Sequence, residues 1–238
     1  MKTSVAKVRT IEKSHAGSHR GPRPRRTVPG SLRGTAYEVI KHEIMTCALA
    51  PGEYVNEAAL CARLKLGRTP VNQALHRLML EGLVNIMPRK GVIVKPVSLD
   101  EVMQIIEVRL LTETYCVRLV AERATEADIA ELEVTLTRAA QWTRAHNVEQ
   151  MMLSDQTFHN ILARIAGNTV LSGILRRLHD RSLRFWFISL KAVGRHHRYV
   201  QDQHESILAA IRKHDAPRAE SAMRSHIESF RDNVARYV

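Results

Sequence analysis

From Leu99 to the end of the chain, apolar residues recur every three or four positions, and the interruptions between these runs are short. A stripe of that period is buried by packing one helix against another. The spacing predicts helices near 99–122, 126–145, 148–166, 169–192, 196–214 and 216–236. Breaks fall at Ala124-Thr125, His146-Asn147, Gly167-Asn168, Gly194 and Asp215-Ala216-Pro217. There are no internal repeats. Six amphipathic helices with short connections read as an all-α helical bundle.

The stretch ahead of this bundle has a different rhythm. Residues 35–48 form a first helix, with Ala36, Val39, Ile40, Ile44 and Cys47 on one face. "LAPGEYVN" breaks it, because Pro51-Gly52 is turn chemistry. A short second helix over 57–64 follows, with Asn56 as its N-cap, and then a tight turn at Leu66-Gly67. A third helix is expected from Pro70 to about Glu81, capped by Thr69 in front and Gly82 behind. "LVNIMPRKGVIVKPV" reads as two short strands, 83–87 and 92–95, joined through Pro88-Arg89-Lys90-Gly91. The order is that of a winged helix-turn-helix. The expected architecture is therefore mainly α: three helices plus a small β-hairpin over 33–96, then a bundle of about six helices over 97–238.

Charge separates the two parts. The chain carries a net +12, but residues 1–33 hold nine Lys and Arg against one acid, giving +8. Residues 34–95 add +3 and everything behind them only +1. A polyanionic partner therefore suits the front alone. Residues 1–32, with "HRGPRPRRTVPG", are too polar to offset the entropy of ordering and are expected to be a disordered basic tail. Such a tail either brushes DNA phosphates or only adds solubility. No run of about 18 uncharged apolar residues exists, so no membrane span is expected. The first residues lack the apolar stretch of a secretory signal. Cys47, Cys61 and Cys116 are odd in number and widely spaced, which suits buried thiols in a reducing cytoplasm.

The third helix carries the chemistry of the front part. Val71, Ala74, Leu75, Leu78 and Met79 share one face, leaving Asn72, Gln73, His76 and Arg77 on the other. In a helix-turn-helix, the N-terminal residues of the second helix of the motif meet base edges in the major groove. Arg68 there can pair with guanine O6/N7, and Asn72 or Gln73 with adenine N6/N7. Free backbone N–H groups around Thr69 favour a phosphate. Arg89 and Lys90 at the wing tip are placed for backbone or minor groove. The alternative is an ordinary amphipathic helix after a turn.

"PGEYVNEAALCARLKLGRTPVNQALHRLMLEGLV" followed by "PRKGVIV" closely resembles the GntR family of bacterial transcription regulators over about 35–95. The resemblance implies a homodimer on a palindromic operator of double-stranded DNA. Three positions depart from the family pattern. Gly67 stands where Ser or Thr is usual, Asn72 where an arginine is usual, and Ala58 where some members carry a basic residue. The last two remove expected DNA contacts and imply a different operator sequence.

The bundle has its own constellation. Most of the twelve histidines lie in the tail, on helix flanks or at helix ends, and His179 borders an apolar stripe. Three behave differently. Asp155 and His159 are spaced i, i+4 on the apolar side of one helix. His204 precedes Ile207, Leu208 and Ile211 at helical spacing, and His226 sits between Met223 and Phe230. An inward carboxylate without a cation is costly, and one divalent ion would resolve it. Imidazole and carboxylate suit zinc best, with nickel, iron or manganese also possible. The alternative is that each histidine is hydrogen-bonded separately in the core.

"DQTFHNILARIAGN", "QHESILAAI" and "AMRSHIESF" resemble the FCD ligand-binding domain of the FadR subgroup of those regulators. There, an Asp and three His typically hold a divalent metal, and they map onto Asp155, His159, His204 and His226. Arg109 matches an arginine that often reaches toward the bound ligand, which in this reading is a small carboxylate. Beside a metal with open positions, its guanidinium would complete a carboxylate trap, unless it only pairs with Glu113 at the surface. Asn168 matches a frequent family residue, though a helix-capping role fits it too. The resemblance implies a regulator, acting as a repressor, whose operator affinity follows effector binding. The competing readings are a metal-dependent enzyme using the Asp/His site and a purely structural metal.

Overall fold

The computed structural model describes residues 32–193 and 197–235. The expected basic tail, apart from Leu32, and the break at Gly194 lie outside the described residues. Helix α1 spans Leu32–Met45, three residues earlier than its apolar spacing suggested. A short strand β1, Tyr54–Val55, precedes α2, Glu57–Leu64. Helix α3, Arg68–Leu80, leads into β2, Val84–Met87, and β3, Gly91–Val94. The hairpin thus gains a third strand. β1 pairs antiparallel with β3 and Tyr54 opposes Ile93, so the sheet order is β1-β3-β2. Two residues are too few to show a period of two, which is why the sequence reads there as a turn only.

Two ends of α3 behave differently. Its C-terminus follows expectation: Gly82 takes φ +77, its N–H reaches Met79 O at 3.0 Å, and Leu83 N–H reaches Leu78 O at 2.9 Å. That is a Schellman closure, which the missing Cβ of glycine permits. Its N-terminus does not. The helix starts at Arg68, with Gly67 as an extended N-cap and no side-chain cap. Thr69 and Pro70 sit in the first turn rather than at cap and first position. Proline is tolerated there because the first N–H groups of a helix have no intrahelical partner anyway.

The remaining helices are α4 Leu99–Arg123, α5 Glu126–Arg144, α6 Val148–Ile165, α7 Thr169–Val193, α8 His197–Arg212 and α9 Ala216–Ala235. Their starts are written in the sequence. Ser98 caps α4, Thr125 and Asp128 form a reciprocal capping box on α5, and Asn147 caps α6. No described helix is long and apolar enough to cross a membrane.

Apolar side chains gather into two cores. One fills the bundle, around Val117, Leu132, Phe158, Leu162, Ile207 and Ile227. The other fills the winged head, around Ile40, Ile44, Val71, Leu75 and Leu78. Met152 of α6 and Leu183 and Phe187 of α7 belong to the second core, so the bundle supplies part of the head's interior. A polar clasp reinforces the joint. Glu101 of α4 pairs with Lys95 and Arg181, and Arg184 donates to Lys95 O at 2.7 Å. Of the three free cysteines, only Cys116 is fully buried, while Cys47 and Cys61 are half-buried.

Gly82→Ala forces a left-handed conformation on a residue with a Cβ, and the Arg181 side chain lies 3.5 Å from that Cβ. We expect a loss of about 1–2 kcal/mol in stability, read by urea denaturation. An unchanged midpoint would contradict the closure described for α3.

Candidate metal centre and nucleic-acid interface

Three bundle helices bring the candidate ligands together. Asp155 and His159 come from α6, His204 from α8 and His226 from α9, and their ligating atoms all lie within 4.8 Å of one another. The histidines are buried and Asp155 lies at the edge, with 12% of its side chain exposed. His204 Nε2 is 3.4 Å from Asp155 Oδ1, and His159 Nε2 is 4.0 Å from the same oxygen. These two buried ring nitrogens have no hydrogen-bond partner among the described residues. Nitrogens left that way inside a protein are expensive unless something else accepts their lone pairs. The donor set, three imidazoles and one carboxylate with orphaned nitrogens facing inward, fits a divalent metal.

The outward ring nitrogens are held from behind. Ser229 Oγ donates to Ser225 O at 2.8 Å and accepts from Gln203 Nε2 at 2.8 Å. This leaves Gln203 Oε1 to accept from His226 Nδ1 at 3.0 Å, so the Nε2 lone pair of His226 is free. His159 Nδ1 sits 2.6 Å from Glu113 Oε2, off the line of a good hydrogen bond, while its Nε2 faces Asp155. A hydrogen-bonded partner such as Gln203 fixes the tautomer and orientation of a metal-binding histidine, whereas Glu113 faces His159 as a charge.

Glu113 is the residue the sequence least revealed. It was legible only as a neighbour of Arg109, yet both are buried. Arg109 Nε donates to its Oε1 at 2.5 Å, His179 Nε2 lies 3.0 Å from the same oxygen, and Arg109 Nη1 reaches Ser182 Oγ at 3.4 Å. Glu113, His159 and His179 form a second cluster that shares His159 with the first. Burial alone would raise the Glu113 carboxyl, but Arg109, with His179 and His159, holds it well below the usual range. A carboxylate already carrying a guanidinium reads better as support for His159 than as a ligand to a second ion. The surface pairing considered for Arg109 is therefore wrong in one respect: the pair exists but is interior. His179 could have been found from its register, four residues from both Leu175 and Leu183 on the buried stripe of α7.

A narrow cleft, open to solvent, reaches Asp155 and His204 from outside. Met151, Trp186, Val200 and Thr143 form its walls. Neither Arg109 nor Asn168 lines it. Asn168 heads α7, where its Oδ1 accepts from Leu171 N at 3.0 Å, so the capping role is the one its geometry displays.

All eight residues proposed to meet DNA lie on the surface of the head: Arg68, Thr69, Asn72, Gln73, His76 and Arg77 on α3, and Arg89 and Lys90 at the wing. The first turn of α3 carries no acid and no side-chain cap, so its positive end is open to an anion. Arg77 is less free than its exposure suggests. Its Nε donates to Glu81 at 3.1 Å and its guanidinium stacks 3.5 Å over the Tyr37 ring. At the wing, Lys90 N–H bonds Met87 O at 3.1 Å, and Arg89 takes φ +62 behind Pro88. A type II turn asks for glycine at that place, so keeping arginine costs about 1–2 kcal/mol.

Burial lowers the His204 and His226 imidazoles well below their usual value, helped by neighbouring imidazoles, and lowers His179 to about 3. In the unfolded chain these groups titrate near about 6.5. Below that value the unfolded chain takes up protons that the folded bundle refuses. Stability is then full above about pH 6.5 and is lost progressively as pH falls toward the folded values. We expect the chelator-treated protein to melt at least about 4 °C lower at about pH 5.5 than at about pH 7.5. His179→Asn should shrink that difference, as read by calorimetry. A flat melting profile would contradict neutral buried imidazoles.

Both parts of the chain match known proteins. Residues 32–94 match the family described as bacterial regulatory proteins, gntR family, and residues 104–229 match the FCD domain. The HTH-type transcriptional repressor RspR of Escherichia coli (strain K12) is 26% identical over 83% of this chain and 86% of its own. The Nta operon transcriptional regulator of Aminobacter aminovorans is 31% identical over 77% of this chain and 85% of its own. Among solved structures, E. coli McbR/YncC superimposes with a TM-score of 0.80 at 22% identity, covering 87% of this chain and 99% of that one, a likeness of fold.

Proposed function

Because this chain belongs to the gntR family of bacterial regulatory proteins and carries an FCD domain, making it a DNA-binding transcription regulator and not an enzyme, we propose that it is a repressor controlled by a small organic acid bound beside a divalent metal. The observation that carries this reading is the meeting of Asp155, His159, His204 and His226 from three helices within 4.8 Å. These residues would hold the ion, zinc by preference, with nickel, iron or manganese as alternatives. A metal so held supplies a Lewis-acidic contact for an effector carboxylate. The protein's own part is to admit the effector through the cleft beside Asp155 and His204, with Trp186, Met151 and Val200 against its apolar portion. Arg109 belongs to this reading through Glu113, which it keeps ionised, rather than as a wall of that cleft. Asn168 serves it by capping α7.

The head would act as one half of a homodimer on a palindromic operator. Arg68, Asn72 and Gln73 face base edges, and Thr69 and the head of α3 face a phosphate. His76, Arg77, Arg89 and Lys90 hold the flanking backbone. Effector binding then lowers operator affinity by favouring a seating of the heads that fits the duplex less well.

Two measurements test this reading together. Arg68→Ala should weaken operator binding by about 1–3 kcal/mol and relax specificity at one base, with metal content unchanged. His204→Ala should lose most bound zinc by elemental analysis while the metal-free operator affinity remains. Full zinc occupancy in His204→Ala, or an unaltered operator footprint in Arg68→Ala, would remove that half of the proposal.

A further inference from the structure

A set of polar contacts that begins one residue from the candidate metal centre leads to the reading helix. Gln156 directly follows Asp155 on α6, and its Nε2 donates to Asp180 Oδ1 at 2.7 Å. The other oxygen of Asp180 receives Lys41 Nζ of α1 at 2.5 Å. Lys41 also donates to Tyr37 OH at 3.1 Å, and that hydroxyl donates to Glu81 Oε2 at 2.8 Å. Glu81, just past the end of α3, takes Arg77 of that helix at 3.1 Å. Asp180 is 1% exposed, so its contacts are made inside the joint and not in solvent.

The sequence of α7 makes the joint two-sided. His179 faces Glu113 at 3.0 Å, and Glu113 in turn faces His159. The next residue, Asp180, lies about 100° further round the helix and faces the head. A small rotation or slide of α7 or α6 therefore cannot alter the centre without altering the grip on Lys41. Trp186, six residues further along, lines the cleft and packs against the head core from the same helix. The apolar part of the joint, Met152, Leu183 and Phe187, tolerates small slides. The buried Lys41–Asp180 pair is less tolerant, because Gln156 and Tyr37 hold it as well and separating the charges in a poorly solvated joint is costly.

We propose that the Gln156–Asp180–Lys41 link is the positioning device through which occupancy of the Asp155/His159/His204/His226 centre sets the seating of α3. The proposal deepens the metal-centre reading and rests on it. Lys41 and Asp180 belong neither to the proposed DNA-facing set nor to the candidate ligands. They fix where Glu81 holds the C-terminal end of α3, and hence the angle at which Arg68, Asn72 and Gln73 are presented.

The test is amide hydrogen exchange on the full chain with and without zinc. Removing one partner alone would leave a buried charge and endanger folding, so both are replaced, Lys41→Met with Asp180→Leu. In the unaltered protein, zinc should slow exchange at least about fivefold in α6, α8 and α9, and by a similar factor in α1 and the last turns of α3. The double variant should keep the bundle effect and lose the head effect to within about twofold. Gln156→Leu, which leaves the ion pair in place, is the second variant. It should cut the head response at least about threefold, and it decides the matter if the double variant does not fold. Head protection that persists in these variants, or bundle protection without head protection in the unaltered protein, overturns the link. Zinc without effect on the bundle overturns the metal-centre reading and the link with it.

Discussion

Three imidazoles and a carboxylate meet inside a helical bundle, and water is largely excluded from the place where they meet. In that setting a charged imidazole is penalised, so His204 and His226 are kept neutral by burial first, and then by the neighbouring His226 in the case of His204 and His159 in the case of His226. Neutral imidazoles repel no cation and offer lone pairs. Burial pushes the Asp155 carboxyl up, against the pull of His159 and Arg109. A carboxylate in that position without a cation is therefore under strain of a purely electrostatic kind. A divalent ion, as proposed, would relieve all four residues at once, which separate hydrogen bonding of each histidine would not do. The dependence of the bundle on this convergence explains why so many neighbouring polar groups are fixed: Gln203 behind His226, Glu113 behind His159, and Arg109 behind Glu113.

The same helices carry the head. α7 supplies Leu183 and Phe187 to the head core and Arg184 to the Lys95 carbonyl, and α6 supplies Met152. Head and bundle are thus two cores that share a wall. Burial would lower the Lys41 ammonium, but Asp180 facing it raises it, while burial raises the Asp180 carboxyl against the pull of Lys41, so the pair sits at the centre of that wall at an electrostatic cost to its carboxylate. A regulator needs two arrangements of its heads that differ modestly in free energy, and a shared wall with one directional contact is a physical means to that end.

How much of this was legible follows the physics of each feature. Long amphipathic helices announce themselves, because the apolar period is repeated over many turns. The boundaries of α4 to α9 fall within a few residues of the sequence reading, and Ser98, Thr125 and Asn147 mark three of the starts. Asp155, His159, His204 and His226 were visible for the same reason: each interrupts an apolar stripe with a group that dislikes being there. What stayed hidden lacked such repetition. β1 is two residues long. The α3 start at Arg68 was missed because Thr-Pro resembles a cap, whereas the backbone uses Gly67. Glu113 was seen, but a charged pair at i, i+4 has the same spacing whether it faces solvent or core. Asp180 and Lys41 are 139 residues apart in sequence, and only the packing of α1 on α7 brings them together.

On this reading one ion would be held by one carboxylate and three imidazoles in the bundle. X-ray absorption at the zinc edge on the reconstituted protein tests it most directly. It should show a first shell of nitrogen and oxygen only, at about 2.0–2.1 Å, with the outer-shell scattering of three imidazoles. A sulfur shell at about 2.3 Å, or the signature of fewer than three imidazoles, would contradict it.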